Sequence, residues 1–251
     1  MLRPRVIPSL LMDDGELIKT SCFSNELYVG DPMNAVRIFN EKSVDELVIF
    51  DISSTYKNLP IDMDLLKDIA KVARMPLCYG GGINSVSQAV ELVKAGFEKI
   101  SISSFAIKNP DILKDIGNAI GSQSVVLCLD VFENKSFKSG YTIHTHRGKL
   151  ETGLDLEDGL EIAQRYHIGE LIINSIDQDG IMQGYDLKLA NFVKDKVDCP
   201  ITFVGGAGSI EDINQLIKEV GIVGAAAGSL FVFKGVNKAV LISYNKPPYE
   251  I

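Results

Sequence analysis

Two glycine clusters and a set of strand-end aspartates are the residues in this sequence best placed to do chemistry. Gly80-Gly81-Gly82 is followed at a distance by Ser103-Ser104, and Gly205-Gly206 with Gly208 is followed by Gly228-Ser229. Glycine lets backbone N–H groups approach a phosphate closely, while serine hydroxyls and a helix N-terminus supply further donors. Two such clusters predict two phosphate sites, and therefore a ligand phosphorylated at both ends; tight strand-to-helix turns are the plainer alternative. Asp51, Asp130 and Asp177 stand at or just beyond apolar runs, where a carboxylate can move protons, although loop capping or ion pairing would also place aspartates there. Asp130 closes Val125-Val-Leu-Cys-Leu-Asp130. Burial would raise its pKa, and a neighbouring cation, with Lys19 as the candidate, would lower it. His144 and His146 lack an evident third ligand, so neither a metal nor a cofactor is expected. His167 reads as a partner for a helix C-terminus.

These residues need elements to hold them. Short runs rich in Val, Ile and Leu cover 6–11, 46–51, 76–79, 99–102, 125–130, 170–174, 201–204 and 224–226. Bounded by Gly, Asp and Ser, they read as strands buried on both faces of a parallel sheet. Amphipathic stretches lie between them. Asp31-Pro32 and Asn109-Pro110 each offer an N-cap followed by proline at the first helical position, and Ser209 with Asp212 resembles a capping box. About eight strands alternating with about eight helices is the signature of a (β/α)8 TIM barrel, with a doubly wound open sheet as the alternative. The halves also repeat: the offset is 124 between Glu46 and Glu170 and between Gly81 and Gly205, and 125 between Ser104 and Ser229. Two similar half-barrels follow. The expected organisation is a single barrel domain over 1–251, with a β-hairpin insertion at 132–152 after the fifth strand, turning near Lys138, Ser139 and Gly140.

Composition narrows the function. With 46% hydrophobic and 23% charged residues, the chain is neither disordered nor collagen-like. Its net charge of -8 argues against a nucleic-acid surface. No apolar run suits a membrane span and no signal-peptide pattern opens the sequence, so a cytoplasmic protein is expected. The four cysteines, Cys22, Cys78, Cys128 and Cys199, form no CxxC pair and read as reduced thiols.

The motifs resemble those of the cyclase subunit of imidazole glycerol phosphate synthase. They include Arg5-Val-Ile-Pro8, Asp14-Gly15 through Lys19, Gly30-Asp31-Pro32, Asp45-Glu-Leu47, Gly80-Gly-Gly-Ile83, Gly121-Ser-Gln123, Ser175-Ile-Asp-Gln-Asp-Gly180, Gly184-Tyr-Asp186 and Gly205-Gly-Ala-Gly208, and they extend from Arg5 to about Phe233. The resemblance implies a lyase whose glutaminase partner docks as a heterodimer at the N-terminal face of the barrel. Ammonia from that partner crosses the barrel to a bis-phosphorylated substrate, which is cleaved and closed into imidazole glycerol phosphate and a ribotide. It assigns phosphate binding to Gly82, Ser103 and Ser104 at one end and to Gly180, Gly206, Gly228 and Ser229 at the other. Ser103 stands where the family usually has Asn. The resemblance also assigns the ammonia gate to Arg5, Glu46, Lys99 and Glu170, and catalysis to Asp130 and Lys19.

One position departs sharply. The family pairs aspartates at the ends of the first and fifth strands; Asp130 keeps the second, but the first is Leu11, in Pro8-Ser-Leu-Leu11. Leucine can neither hold nor transfer a proton. Asp13 and Asp14 are near in sequence but belong to the following loop, and Thr20 replaces a glycine that the family carries in that loop. Such a pattern resembles second copies of this barrel found with surface-polysaccharide genes. There, a glutaminase–barrel pair supplies ammonia to an enzyme converting an N-acetyl sugar into an acetamidino sugar. Three readings follow: that paralogue, a genuine cyclase of histidine biosynthesis, or a non-catalytic activator of a glutaminase that senses a phosphosugar.

Overall fold

In the computed structural model, which describes residues 3–57, 59–235 and 237–244, eight parallel strands close on themselves. They are β1 (Arg5–Asp13), β2 (Leu47–Asp51), β3 (Leu77–Gly80), β4 (Lys99–Ile102), β5 (Val125–Glu133), β6 (Glu170–Ser175), β7 (Ile201–Val204) and β8 (Gly224–Ala227). β1 pairs with both β2 and β8, and β5 pairs with both β4 and β6, so no barrel strand is left with an open edge. The chain is a (β/α)8 TIM barrel, and the doubly wound sheet is excluded. Parts of the expected extent, residues 1–2 and 245–251, lie outside the described residues.

Helices α1 (Pro32–Glu41), α2 (Met63–Val72), α3 (Val86–Ala95), α4 (Asp111–Ile120), α5 (Leu156–Arg165), α6 (Leu187–Val193) and α7 (Ile210–Val220) wrap the outside. Their starts follow local chemistry. Asp31 accepts from Asn34 N at 2.8 Å with Pro32 opening α1, and Ser209 and Asp212 form a reciprocal capping box on α7. α4 differs by one residue from expectation: Pro110 takes the cap position instead of the first helical one, and Asp111 supplies the first-turn negative charge. An eighth long helix does not follow β8 among the described residues. The chain makes a short helix, Ser229–Val232, then a two-stranded ribbon, Phe233–Lys234 with Ala239–Val240. His167 lies just past α5, beyond its cap Tyr166. No described helix is long and apolar enough to cross a membrane.

Outward-facing strand residues such as Val6, Leu10, Leu47 and Ile49 pack with the helices in the main core. A second, separate cluster fills the barrel interior: Ile7, Val48, Cys78, Val126, Cys128, Ile172 and Ala226, all at most 4% exposed. This apolar layer divides the barrel into two polar ends. Cys78 and Cys128 are free thiols within it, as are Cys22 and Cys199 elsewhere.

Two strand ribbons rise above the C-terminal end. Residues 132–152 fall on the end of β5, the turn after it, the strand Tyr141–Thr145 and the first half of Leu150–Asp155; these strands run antiparallel in sequence. The segment after β1, read from the sequence as a loop, is instead a second such ribbon, Glu16–Ser21 with Ser24–Gly30. Each ribbon extends the first strand of its half-barrel, so the internal repeat includes both ribbons. Pairing to neighbouring strands carries backbone order into segments whose sequence looks loop-like.

Candidate functional site at the barrel mouth

A cavity of about 350 Å³ opens at the C-terminal ends of the strands, and both halves line it. The seven residues assigned to phosphate binding all border it, but they are not equally free. Ser103 Oγ is buried without a hydrogen-bond partner. Ser104 Oγ accepts a long bond from His146 N at 3.4 Å. Gly82 N already donates to Thr55 Oγ1 at 3.2 Å. Gly180 and Gly206 adopt positive φ, and a Cβ on either would overlap a backbone oxygen, Thr20 O or Gly184 O respectively. Their glycine identity is therefore fixed by backbone packing around the mouth. A Cβ on Gly228 would overlap Lys19 Nζ.

Asp130 lies in this mouth and accepts from Asn174 Nδ2 at 3.0 Å. Burial pushes its carboxyl up to about 7; the Asn174 bond opposes that shift and the Asp179 carboxylate adds to it. The sequence offers Lys19 as the candidate cation beside Asp130. Instead it lies on the first ribbon, buried, donating to Ser9 O at 2.9 Å, and the charge reaching Asp130 is Asp179, of opposite sign. Burial also brings Lys19 down to about 8, against the pull of Asp179.

Register makes Leu11 the structural counterpart of Asp130. Each pairs with its own ribbon, Leu11 with Ile18 and Asp130 with His144. Each also pairs with the next barrel strand, Leu11 with Phe50 and Asp130 with Asn174. One half of the mouth thus carries a carboxyl and an amide where the other carries a leucine and a phenylalanine. Asp13 and Asp14 do not fill the gap, because both bind Lys57, at 2.9 and 2.5 Å.

The other strand-end aspartates have structural roles. Asp51 accepts from Ser53 N and Oγ, Ser54 Oγ and Tyr79 OH, which uses its lone pairs to shape the turn after β2. Asp177 accepts from Glu133 N at 2.7 Å and does not border the cavity. The residue missed from sequence is Asp179, two positions on. It accepts from Thr20 Oγ1 at 2.6 Å and Phe23 N at 3.1 Å, latching the first ribbon over the mouth and giving Thr20 a definite role. Arg147 of the second ribbon pairs with Glu26 of the first, stacks on Tyr56 and also borders the cavity. The signal for Asp179 was present in Asp177-Gln-Asp179-Gly180, where a second carboxylate stands directly before a glycine of the mouth. His144 Nδ1 lies 2.9 Å from Gly148 O, and no metal-holding cluster exists among the described residues.

The raised Asp130 carboxyl predicts a stability effect. An unfolded aspartate titrates near 4 and the folded one at about 7. Between those values the unfolded state releases a proton that the folded state retains, so stability falls as pH rises through that window and is level above it. Asp130→Asn keeps the Asn174 bond and removes the penalty. Thermal melts should show the variant gaining on the parent from pH 4 to pH 7, by a few kcal/mol at most. A pH-independent difference would refute the assignment.

At the opposite end, Arg5, Glu46, Lys99 and Glu170 meet at the bottom of the barrel. Lys99 Nζ bonds Glu46 Oε2 at 2.8 Å and Glu170 Oε2 at 2.6 Å. Arg5 bonds Glu170 Oε1 at 2.8 Å and also pairs with Glu46. Thr202 Oγ1, which sequence reasoning did not single out, donates to Glu170. Burial alone would lower the Arg5 and Lys99 pKa values, but the two glutamates override it and raise both; the two cations likewise hold Glu170 low against burial. Two cations and two anions close into a neutral ring.

The sequence model of a family described as histidine biosynthesis protein matches residues 5–237. A Leptospira interrogans protein described provisionally as imidazole glycerol phosphate synthase subunit HisF is 47% identical over 97% of this chain and 96% of its own. A Vibrio vulnificus protein described provisionally as imidazole glycerol phosphate synthase subunit hisF3 is 47% identical over 98% of this chain and 95% of its own. The imidazole glycerol phosphate synthase subunit HisF of Clostridium botulinum (strain Langeland) is 34% identical over 98% and 97%.

Proposed function

The chain belongs to the histidine biosynthesis protein family, and from that premise we propose that it is the barrel subunit of a glutaminase-dependent synthase whose cyclase chemistry is impaired. The glutaminase docks at the N-terminal face, over the Arg5, Glu46, Lys99 and Glu170 ring. Ammonia leaves it there and crosses the interior lined by Ile7, Val48, Cys78, Val126, Cys128, Ile172 and Ala226. That layer selects by charge: neutral ammonia passes an apolar lining, whereas ammonium would shed its hydration without an anion to replace it. The ring above the partner blocks bulk ions while offering polar contacts at the threshold.

The observation that carries this reading is the contrast between the two ends. The bottom ring is complete, while the mouth has Leu11 beside Phe50 in the position equivalent to Asp130 beside Asn174. A site that must both remove and return protons at two atoms keeps one of its two carboxyls. The nitrogen therefore serves a different acceptor, and acetamidino-sugar biosynthesis is the assignment we favour, with the mouth retaining affinity for a phosphorylated small molecule through Gly82, Ser103, Ser104, Gly180, Gly206, Gly228 and Ser229. Asp130 remains as a proton-transfer group.

The partner claim is tested by mixing the chain with the glutaminase of its own organism. Co-elution on size exclusion and faster glutamate release than from the glutaminase alone are expected. Separate elution with an unchanged rate would remove the glutaminase from the account.

A further inference from the structure

We propose that Lys19 is an amine nucleophile, forming an imine with the carbonyl carbon of a phosphorylated aldehyde or ketone held in the barrel mouth. This rests on the reading of that mouth as a phosphate-ester site, and it adds a covalent step to it.

The placement of Nζ carries the argument. Lys19 is 8% exposed yet borders the cavity, so what little of it is accessible opens into the mouth. Its hydrogen bond goes to a carbonyl, Ser9 O, which orients the amine without neutralising a positive charge. The charge acting on it, Asp179, is already engaged by Thr20 and Phe23. Nζ rests against Gly228, where any side chain would displace it, so the fold keeps room for an amine beside the Gly228–Ser229 turn. Leu11, in the same mouth, contributes no carboxylate to hold the amine as a cation. A desolvated lysine of this kind is the ordinary arrangement for carbonyl addition. The titration near 8 agrees with the geometry, since roughly half of such an amine is neutral at pH 8, against under about 1% for an exposed lysine.

The step balances without an oxidant or reductant. The Nζ lone pair forms the C–N bond as the carbonyl π pair moves to oxygen. The two amine hydrogens then leave with that oxygen as water, and the C=N bond remains. Water in the cavity lends and recovers the proton that helps the hydroxyl depart.

Pyridoxal 5′-phosphate, which carries one aldehyde and one phosphate, is the probe. The folded chain is incubated with it, reduced with sodium borohydride, and mapped by peptide mass spectrometry with and without inorganic phosphate. The expected result is an imine absorbance band and a reduced adduct on Lys19 forming at least about tenfold faster than on any surface lysine. Inorganic phosphate slows it, and the adduct is absent from Lys19→Arg. Phosphate-sensitive binding without a reduced adduct on Lys19 overturns the imine while leaving the phosphate site standing. Adducts scattered over surface lysines and indifferent to phosphate overturn both. Because the mapping is done on the unmodified sequence, the outcome does not depend on a variant folding.

Discussion

Leu11→Asp raises turnover of the bis-phosphorylated cyclase substrate, supplied with ammonium salt, by about tenfold or more. The expectation follows from register. Residue 11 occupies in one half-barrel the place that Asp130 occupies in the other, and a carboxylate there faces the same cavity from the opposite wall. Loss of one member of an acid/base pair costs on the order of 10² to 10⁴ in rate, so partial recovery is readily measured. Full recovery is not expected, because Phe50 stands where Asp130 has Asn174 and offers the new carboxylate no hydrogen bond. Adding Phe50→Asn should increase the gain. An unchanged rate in both variants would locate the divergence elsewhere in the mouth, with the latched first ribbon as the next suspect.

Lys99→Ala uncouples glutamine hydrolysis from nitrogen delivery. Lys99 bridges Glu46 and Glu170 across the barrel bottom, and without it Arg5 alone faces two buried carboxylates. Breaking a buried ion-pair network by removing one partner costs about 3–5 kcal/mol when it leaves an uncompensated charge. With Lys99 itself part-exposed, the lower end of that range applies. Read in the Leu11→Asp background, where product reports delivery, the ratio of glutamate released to product formed should rise severalfold, as ammonia escapes at the opened ring. A thermal melt of the same sample separates this from unfolding. Intact coupling in a folded variant would reduce the ring to a structural ion-pair cluster.

Much of this was legible from the sequence because the signals are local. Val-, Ile- and Leu-rich runs announce most of the strands, because strands of a parallel barrel are buried on both faces; β8, Gly-Ala-Ala-Ala, is marked instead by small residues. Charges at strand starts, such as Glu46, Lys99 and Glu170, stand out against such runs, and they meet in one ring. The first ribbon was less visible. Ser24–Gly30 carries Ser, Asn and Glu on an exposed edge, and the strand geometry comes from pairing: Glu16–Ser21 pairs with β1, and Ser24–Gly30 with Glu16–Ser21. Lys19 was placed in a loop for the same reason, and its distance from any effect on Asp130 could not be read from spacing. Asp51, Asp130 and Asp177 look alike in sequence. What separates them is three-dimensional: serine hydroxyls surround the first, burial at the barrel mouth raises the second, and the third ties down a strand.

One assay separates a barrel that still passes ammonia but has lost its cyclase pair from an intact cyclase. The unmodified chain is mixed with its glutaminase and the bis-phosphorylated substrate, with glutamine in one arm and ammonium salt in the other, and imidazole glycerol phosphate is measured. The expected result is glutamine hydrolysis stimulated by the barrel but product formed about 10² to 10⁴ times more slowly than by a cyclase with both aspartates, in either arm. Turnover equal to that of such a cyclase would contradict it.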